Sequence, residues 1–177
     1  MDSLDDLPAD QVVVAAGAWS RTLAPTANVR PVKGEILRLR HRSVALPVPF
    51  RTIRALVQGR HVYLVPRNDG IVVGATQFES GFDDEVTVGG VRELIADAEV
   101  VIPGLAEYGL TEASAGLRPM TPDGLPLIGR LDHRTVLATG HGRNGILLAP
   151  VTASAVLAEL SGTSLTELAC ADPGRFR

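Results

Sequence analysis

Residues 12–17 read Val-Val-Val-Ala-Ala-Gly, an unbroken run of β-branched and small residues closed by glycine. Apolar side chains at consecutive positions predict a strand buried on both faces, as in a parallel sheet. A strand of that kind needs neighbours. Ahead of it stand only residues 1–9, acidic and opening Met-Asp-Ser-Leu-Asp-Asp, which read as a flexible tail. The chain therefore begins where a sheet should already exist. Its opening has neither the basic start nor the apolar core of a secretion signal. The longest apolar stretch, Ile146 to Leu160, contains Pro150 and falls short of the roughly 20 residues that span a bilayer. A cytoplasmic protein with no membrane partner is the expectation.

Two further blocks follow. From about 29 to 76, Ile36, Leu37 and Leu39 lie among charged residues, and His61–Pro66 and Gly70–Gly74 flank Asn68-Asp69, a strong hairpin signal with Gly70. Several short antiparallel strands are expected there. Over 87–102, Val91, Leu94, Ile95 and Ala98 recur at helical spacing until Pro103-Gly104 stops them, and Leu110–Leu117 reads as another strand. The last third repeats the opening pattern. Thr135–Thr139 reads as a buried strand, Gly140–Gly145 as a glycine-rich turn, and Ile146–Leu160 as an apolar helix that must be buried. Pro150 leaves two starts open for it, a kinked helix from Asn144 or one beginning near Ala149.

With 177 residues, 45% hydrophobic and 21% charged, the chain can build a core and is not disordered. A net charge of −3 without a basic stripe argues against nucleic acid as a partner. The single cysteine, Cys170, excludes a disulfide framework within the chain. The four histidines have no metal-ligand spacing, and no serine sits in a nucleophile elbow.

Gly140-His141-Gly142-Arg143-Asn144-Gly145 matches G-x-G-x-x-G between a strand and a helix. It does not open a βαβ unit, because no second strand with an acidic end follows. Two readings stay open: a tight turn with no ligand, or backbone amides that meet an anion at a helix start. Arg118 ends a predicted strand before Pro119. It is either a solvated surface arginine or a fork for a carboxylate. Tyr63 faces away from Val62 and Leu64 on its strand, as a packing residue or as a ligand contact.

In chain order, the segments 12–20, 30–35, 63–67 with 72–76, 116–129 and 140–150 resemble the FAD-dependent D-amino-acid oxidase superfamily, most nearly its glycine oxidases of thiamine biosynthesis. The likeness covers residues 10–165 and only the C-terminal half of such an enzyme, since the strand–G-x-G-x-x-G–helix that opens the family is not in this chain. It implies an α/β (α+β) fold: part of a Rossmann-like FAD-binding domain without its N-terminal βαβ unit, plus an antiparallel-sheet substrate-binding domain with helices. Residues 10–28 would leave the flavin domain, 29–117 build the substrate-binding sheet, 118–165 return, and 166–177 form a tail.

FAD is the cofactor that the resemblance implies. Ala16, Gly17, His141, Gly142, Arg143, Asn144, Gly145, Ile146 and Leu147 match positions that touch it. Arg118 matches the substrate-carboxylate arginine, and Tyr63 and Arg143 its supporting contacts. The implied reaction is oxidative deamination of glycine or a small amine or D-amino acid, with oxygen as the second substrate and peroxide as product. No protein acid or base is singled out. The implied partners are a small amino acid, the missing N-terminal FAD-binding segment and, by analogy with tetrameric relatives, further copies of the chain. A non-catalytic fragment and a phosphate- or nucleotide-binding module remain the competing readings.

Overall fold

The computed structural model describes Leu4 and residues 6–176. The chain folds as two compact units. One comprises Met1–Val32 with Arg118–Arg177, the other Lys33–Leu117.

The first unit holds a three-stranded sheet in the order β1-β8-β7: β1 Val12–Val14, β7 Leu127–Arg130 and β8 Thr135–Thr139. β1 runs parallel to β8, and β7 pairs with β8 antiparallel. The parallel strand read from the valine run is present, but it is shorter and less enclosed than expected. Val12 and Val14 are buried while Val13, which points to the opposite face of the sheet, is exposed; among the described residues β1 pairs with β8 and lies at the sheet edge. After β1 the chain makes a 3-10 turn at Gly17–Trp19 and a short helix α1, Ser20–Leu23. Ala24, Ala27 and Val29 then fold back onto Val12, Val14, Leu127 and Leu137.

Leu4 and Leu7 pack against that cluster, and the Arg134 guanidinium donates to the carbonyls of Leu4, Leu7 and Ala9. Met1–Ser3 and Asp5, part of the acidic opening, lie outside the described residues. At the other end, residues 166–176 form two 3-10 turns, Thr166–Ala171 and Pro173–Phe176, with Ala171 and Pro173 buried.

Helix α3 spans Gly145–Leu160 with Pro150 inside it, the first of the two predicted starts. The expectation that it is buried fails. It packs on β7 and β8 along a narrow side, where Ala155 is its one fully buried residue, while Ile146, Leu147 and Leu157 are 94%, 77% and 66% exposed. Its apolar content runs all round the helix, and among the described residues one side alone is covered.

The second unit holds most of a five-stranded sheet in the order β3-β4-β5-β2-β6, built from β2 Arg30–Arg40, β3 Ile53–Val57, β4 Arg60–Arg67, β5 Gly70–Gly74 and β6 Gly109–Met120, the first residues of β2 and the last of β6 belonging to the first unit. Arg67 pairs with Gly70 across the two-residue Asn68-Asp69 loop, as the turn signal predicts. Helix α2, Val88–Val101, lays Val91, Leu94, Ile95 and Ala98 on Leu37, Val62, Leu64, Ile71 and Val73 of the sheet. Thr87 caps its start by accepting from Gly90 N at 3.0 Å. Its buried Asp97 accepts from Arg60 Nε at 2.9 Å and from Nη2 at 2.5 Å, which pins the helix to the head of β4. That paired geometry raises the Arg60 pKa.

Candidate flavin- and substrate-binding site

Strand β8 ends in Thr139, which is buried. Its hydroxyl donates to Gly17 O at 3.0 Å and accepts from Ser20 Oγ at 2.8 Å. One side chain therefore ties the exit of β1 to the exit of β8 and holds Ala16 and Gly17 beside the glycine turn. Gly17, Gly140 and Gly142 have φ of +55°, +75° and +54°. This left-handed region is where residues with a Cβ are strained. At Gly142 a Cβ would also meet Met120 Sδ at 2.7 Å.

The turn is anchored from its far side by β6. Gly142 N donates to Pro119 O at 2.9 Å, and Met120 bridges to His141. The structure thus brings the strand end that carries Arg118 onto the turn that carries Arg143. Arg118 is half-buried and Arg143 exposed. The residue after Arg118 is proline, which holds residue 118 in extended backbone. Pro119 is tolerated because β6 is an edge strand.

His141 Nε2 lies 2.9 Å from Thr152 Oγ1, so the ring straps the turn to the second turn of α3. Burial pushes the His141 pKa below its ordinary 6.5. The folded value is thus below the unfolded one, and the unfolded chain takes up the proton first. The stability linked to His141 is complete above about pH 6.5 and is lost as pH falls through the folded value. We expect the protection factors of amides in 140–148, taken relative to intrinsic exchange at each pH, to fall on acidification across that window, and His141→Gln to flatten the dependence.

Helix α3 opens without a side-chain cap from Asn144 and without an acidic residue in its first turn. Leu148 N is the first amide to bond back, to Asn144 O at 2.9 Å. The amides of Gly145, Ile146 and Leu147 therefore lead a positively polarised helix end. Ile146 and Leu147 put exposed apolar surface beside it, and His141 and Gly142 form the half-buried turn behind. Glycine backbone, apolar surface and amide donors side by side fit a planar ring with an anionic edge, so these residues fit a flavin.

Tyr63 belongs to the second unit. It stands on β4, half-buried, directly opposite Gly74 of β5. A Cβ at Gly74 would come within 2.4 Å of the phenol oxygen, so the glycine leaves the room in which the ring lies. Thr139, Ser20 and Gly74 were not singled out from the sequence. A threonine closing an otherwise apolar strand just before a glycine turn was the one available signal.

The DAO family model, described as FAD dependent oxidoreductase, matches residues 4–160. The chain belongs to that family. It is 43% identical over 155 residues to the bifunctional protein ThiO/ThiG of Nostoc sp., covering 86% of this chain and 23% of that protein. It is 40% identical over 151 residues to glycine oxidase of Bacillus licheniformis, covering 81% and 39%. The crystal structure of glycine oxidase from Geobacillus kaustophilus superposes with a TM-score of 0.82 at 33% identity, over 94% of this chain and 46% of that one. The chain thus spans less than half the length of these relatives. Among the described residues no helix is long and apolar enough to cross a membrane.

Proposed function

We propose that this chain is the C-terminal part of an FAD-dependent amino-acid oxidase of the glycine oxidase type, acting on glycine or another small amine or D-amino acid. The observation that carries the reading is the uncapped start of α3 behind the Gly140–Gly145 turn, joined through Gly142 N and Pro119 O to the strand end of Arg118. FAD, when bound, supplies a two-electron acceptor that takes hydride from the substrate carbon and hands the electrons to oxygen, giving peroxide.

The roles of the protein are binding and orientation. The guanidinium of Arg118 holds the substrate carboxylate through two parallel hydrogen bonds, with Arg143 in support. The leading amides of α3 favour negative charge on the cofactor edge, and Ala16, Gly17 and the turn residues 141–147 make up the cofactor wall. An amine that enters neutral needs no protein base, and its imine product hydrolyses in water. The ThiO names among the relatives support a place in thiamine biosynthesis. The N-terminal FAD-binding segment is the partner that this reading requires.

The test uses a polypeptide carrying an FAD-binding strand–loop–helix ahead of residue 1. It should purify yellow and release one peroxide per glycine consumed. A yellow protein that yields peroxide with neither glycine, sarcosine nor a small D-amino acid would refute the oxidase reading.

A further inference from the structure

Arg175 lies beyond the span that the family model matches, in the C-terminal stretch that the sequence presents as a tail. Its guanidinium is nevertheless among the most heavily engaged groups of the first unit. Nε donates to Asp123 Oδ2 at 2.8 Å and Nη2 to Asp123 Oδ1 at 3.0 Å, a parallel fork. Nη2 also donates to Leu125 O at 2.8 Å, and Nη1 to Pro126 O at 3.1 Å and Asp172 O at 3.2 Å. The side chain is 16% exposed and stacks on Phe176 at 4.5 Å. A surface arginine in a solvated ion pair does not collect four acceptor groups at once.

What it grips is a loop with little freedom of its own. Thr121 Oγ1 donates to Leu125 O at 2.7 Å, and Asp123 Oδ1 accepts from Leu125 N at 3.0 Å. The loop lies against Gly140: a Cβ there would stand 2.7 Å from Thr121 Cγ2, 3.3 Å from Leu127 N and 3.6 Å from Pro126 Cα. Immediately before the loop, Pro119 and Met120 hold Gly142 and His141. The clasp therefore stands one layer behind the glycine turn.

We propose that Arg175 is a positioning residue for the Gly140–Gly145 turn, fixing from behind the Thr121–Pro126 loop on which Gly140 rests. The consequence for the cofactor rests on the function proposed above. If that loop loosens, the amides that open α3 lose their alignment and the FAD site loses affinity. The Arg175 fork also holds the Asp123 carboxyl well below the usual carboxylate range. The clasp therefore stays intact through neutral and mildly acidic pH and opens only as pH falls through that lowered value.

The experiment compares wild type, Arg175→Ala and Arg175→Lys in the FAD-binding polypeptide that tests the proposed function, by peptide-resolved hydrogen exchange of the apo form and by FAD titration. In Arg175→Ala, exchange of 121–126 and 140–148 should accelerate about tenfold while strand 135–138 stays as slow as in wild type, and the FAD dissociation constant should rise about tenfold. Lysine, which keeps the charge without the fork, should fall between. Acceleration that stops at residue 126, or that spreads equally to 135–138, would overturn the proposal. The first result would make the clasp local and the second merely global stability. Faster exchange at 140–148 with unchanged FAD affinity would leave the clasp standing and remove the turn from the flavin site.

Discussion

Arg118→Ala, in the FAD-loaded polypeptide that tests the proposed function, should raise the KM for glycine by about two orders of magnitude, and kcat/KM should fall at least as far. A charged pair that loses one member inside a desolvated site costs about 2–5 kcal/mol, and each 1.4 kcal/mol is tenfold. Two orders of magnitude correspond to about 2.8 kcal/mol, inside that range, and the position of residue 118 is fixed by its neighbours. The backbone at 118 is restrained by Pro119, and Pro119 O is tied to Gly142 N at 2.9 Å. Arg118→Lys keeps a point charge without bidentate geometry and should recover a minority of the loss. FAD binding should be unchanged in both variants, which separates loss of the substrate clamp from collapse of the site. Steady-state kinetics with a flavin-absorbance control makes the measurement. An unchanged KM in Arg118→Ala would take the carboxylate role away from this residue.

The parts of this architecture that were legible in the sequence are those set by local periodicity and turn chemistry. Asn68-Asp69-Gly70 fixed a hairpin, the 91/94/95/98 spacing fixed α2, and Gly140–Gly145 marked the strand-to-helix turn, because in each case a few adjacent residues restrict the backbone. The failures are tertiary. Apolar content along Ile146–Leu160 promised burial on all sides, but burial depends on what packs against a helix, and the described residues cover one narrow side of α3. The valine run promised a strand enclosed on both faces, yet Val13, on the face opposite Val12 and Val14, is exposed. Contacts across long sequence distances left no local trace. Thr139 with Gly17 spans 122 residues and Arg175 with Asp123 spans 52. Of the candidate site, Arg118 and the glycine turn enter by resemblance, and the structure adds the Pro119 O to Gly142 N bond that joins their segments. The stitching that holds them, through Thr139, Pro119 and Arg175, was not.

The same limit hid a charged network in the second unit, where the largest stability effect is expected. Lys33 and Glu35 are 1% and 0% exposed on β2, in a stretch whose charges disguise it as a surface strand. Lys33 Nζ donates to Asp83 Oδ2 at 2.6 Å and Glu85 O at 2.9 Å, and lies 4.0 Å from Glu35 Oε1. Glu35 Oε1 accepts from Thr87 N at 2.8 Å and Thr87 Oγ1 at 3.0 Å, and Oε2 accepts from Thr76 Oγ1 at 3.4 Å. Thr87 is the cap of α2, so the carboxylate sits at the positive end of that helix. Gly90 is required there, since a Cβ would come within 1.4 Å of Glu35 Oε2.

Glu35→Ala would leave the Thr87 amide without its acceptor and Lys33 buried with one carboxylate fewer. Removing one member of a buried pair costs about 3–5 kcal/mol, a large share of the 5–15 kcal/mol that holds a domain folded. Lys33→Met should cost less, because Glu35 keeps its three donors and the half-exposed Asp83 turns to water. Two units need not unfold as one, so a single melting temperature is the wrong measure. Exchange protection of α2 and β5 amides should collapse in Glu35→Ala and weaken in Lys33→Met, while β8 keeps its protection. If Lys33→Met were the more damaging of the two, the ion pair rather than the cap on α2 would be what the network is built around.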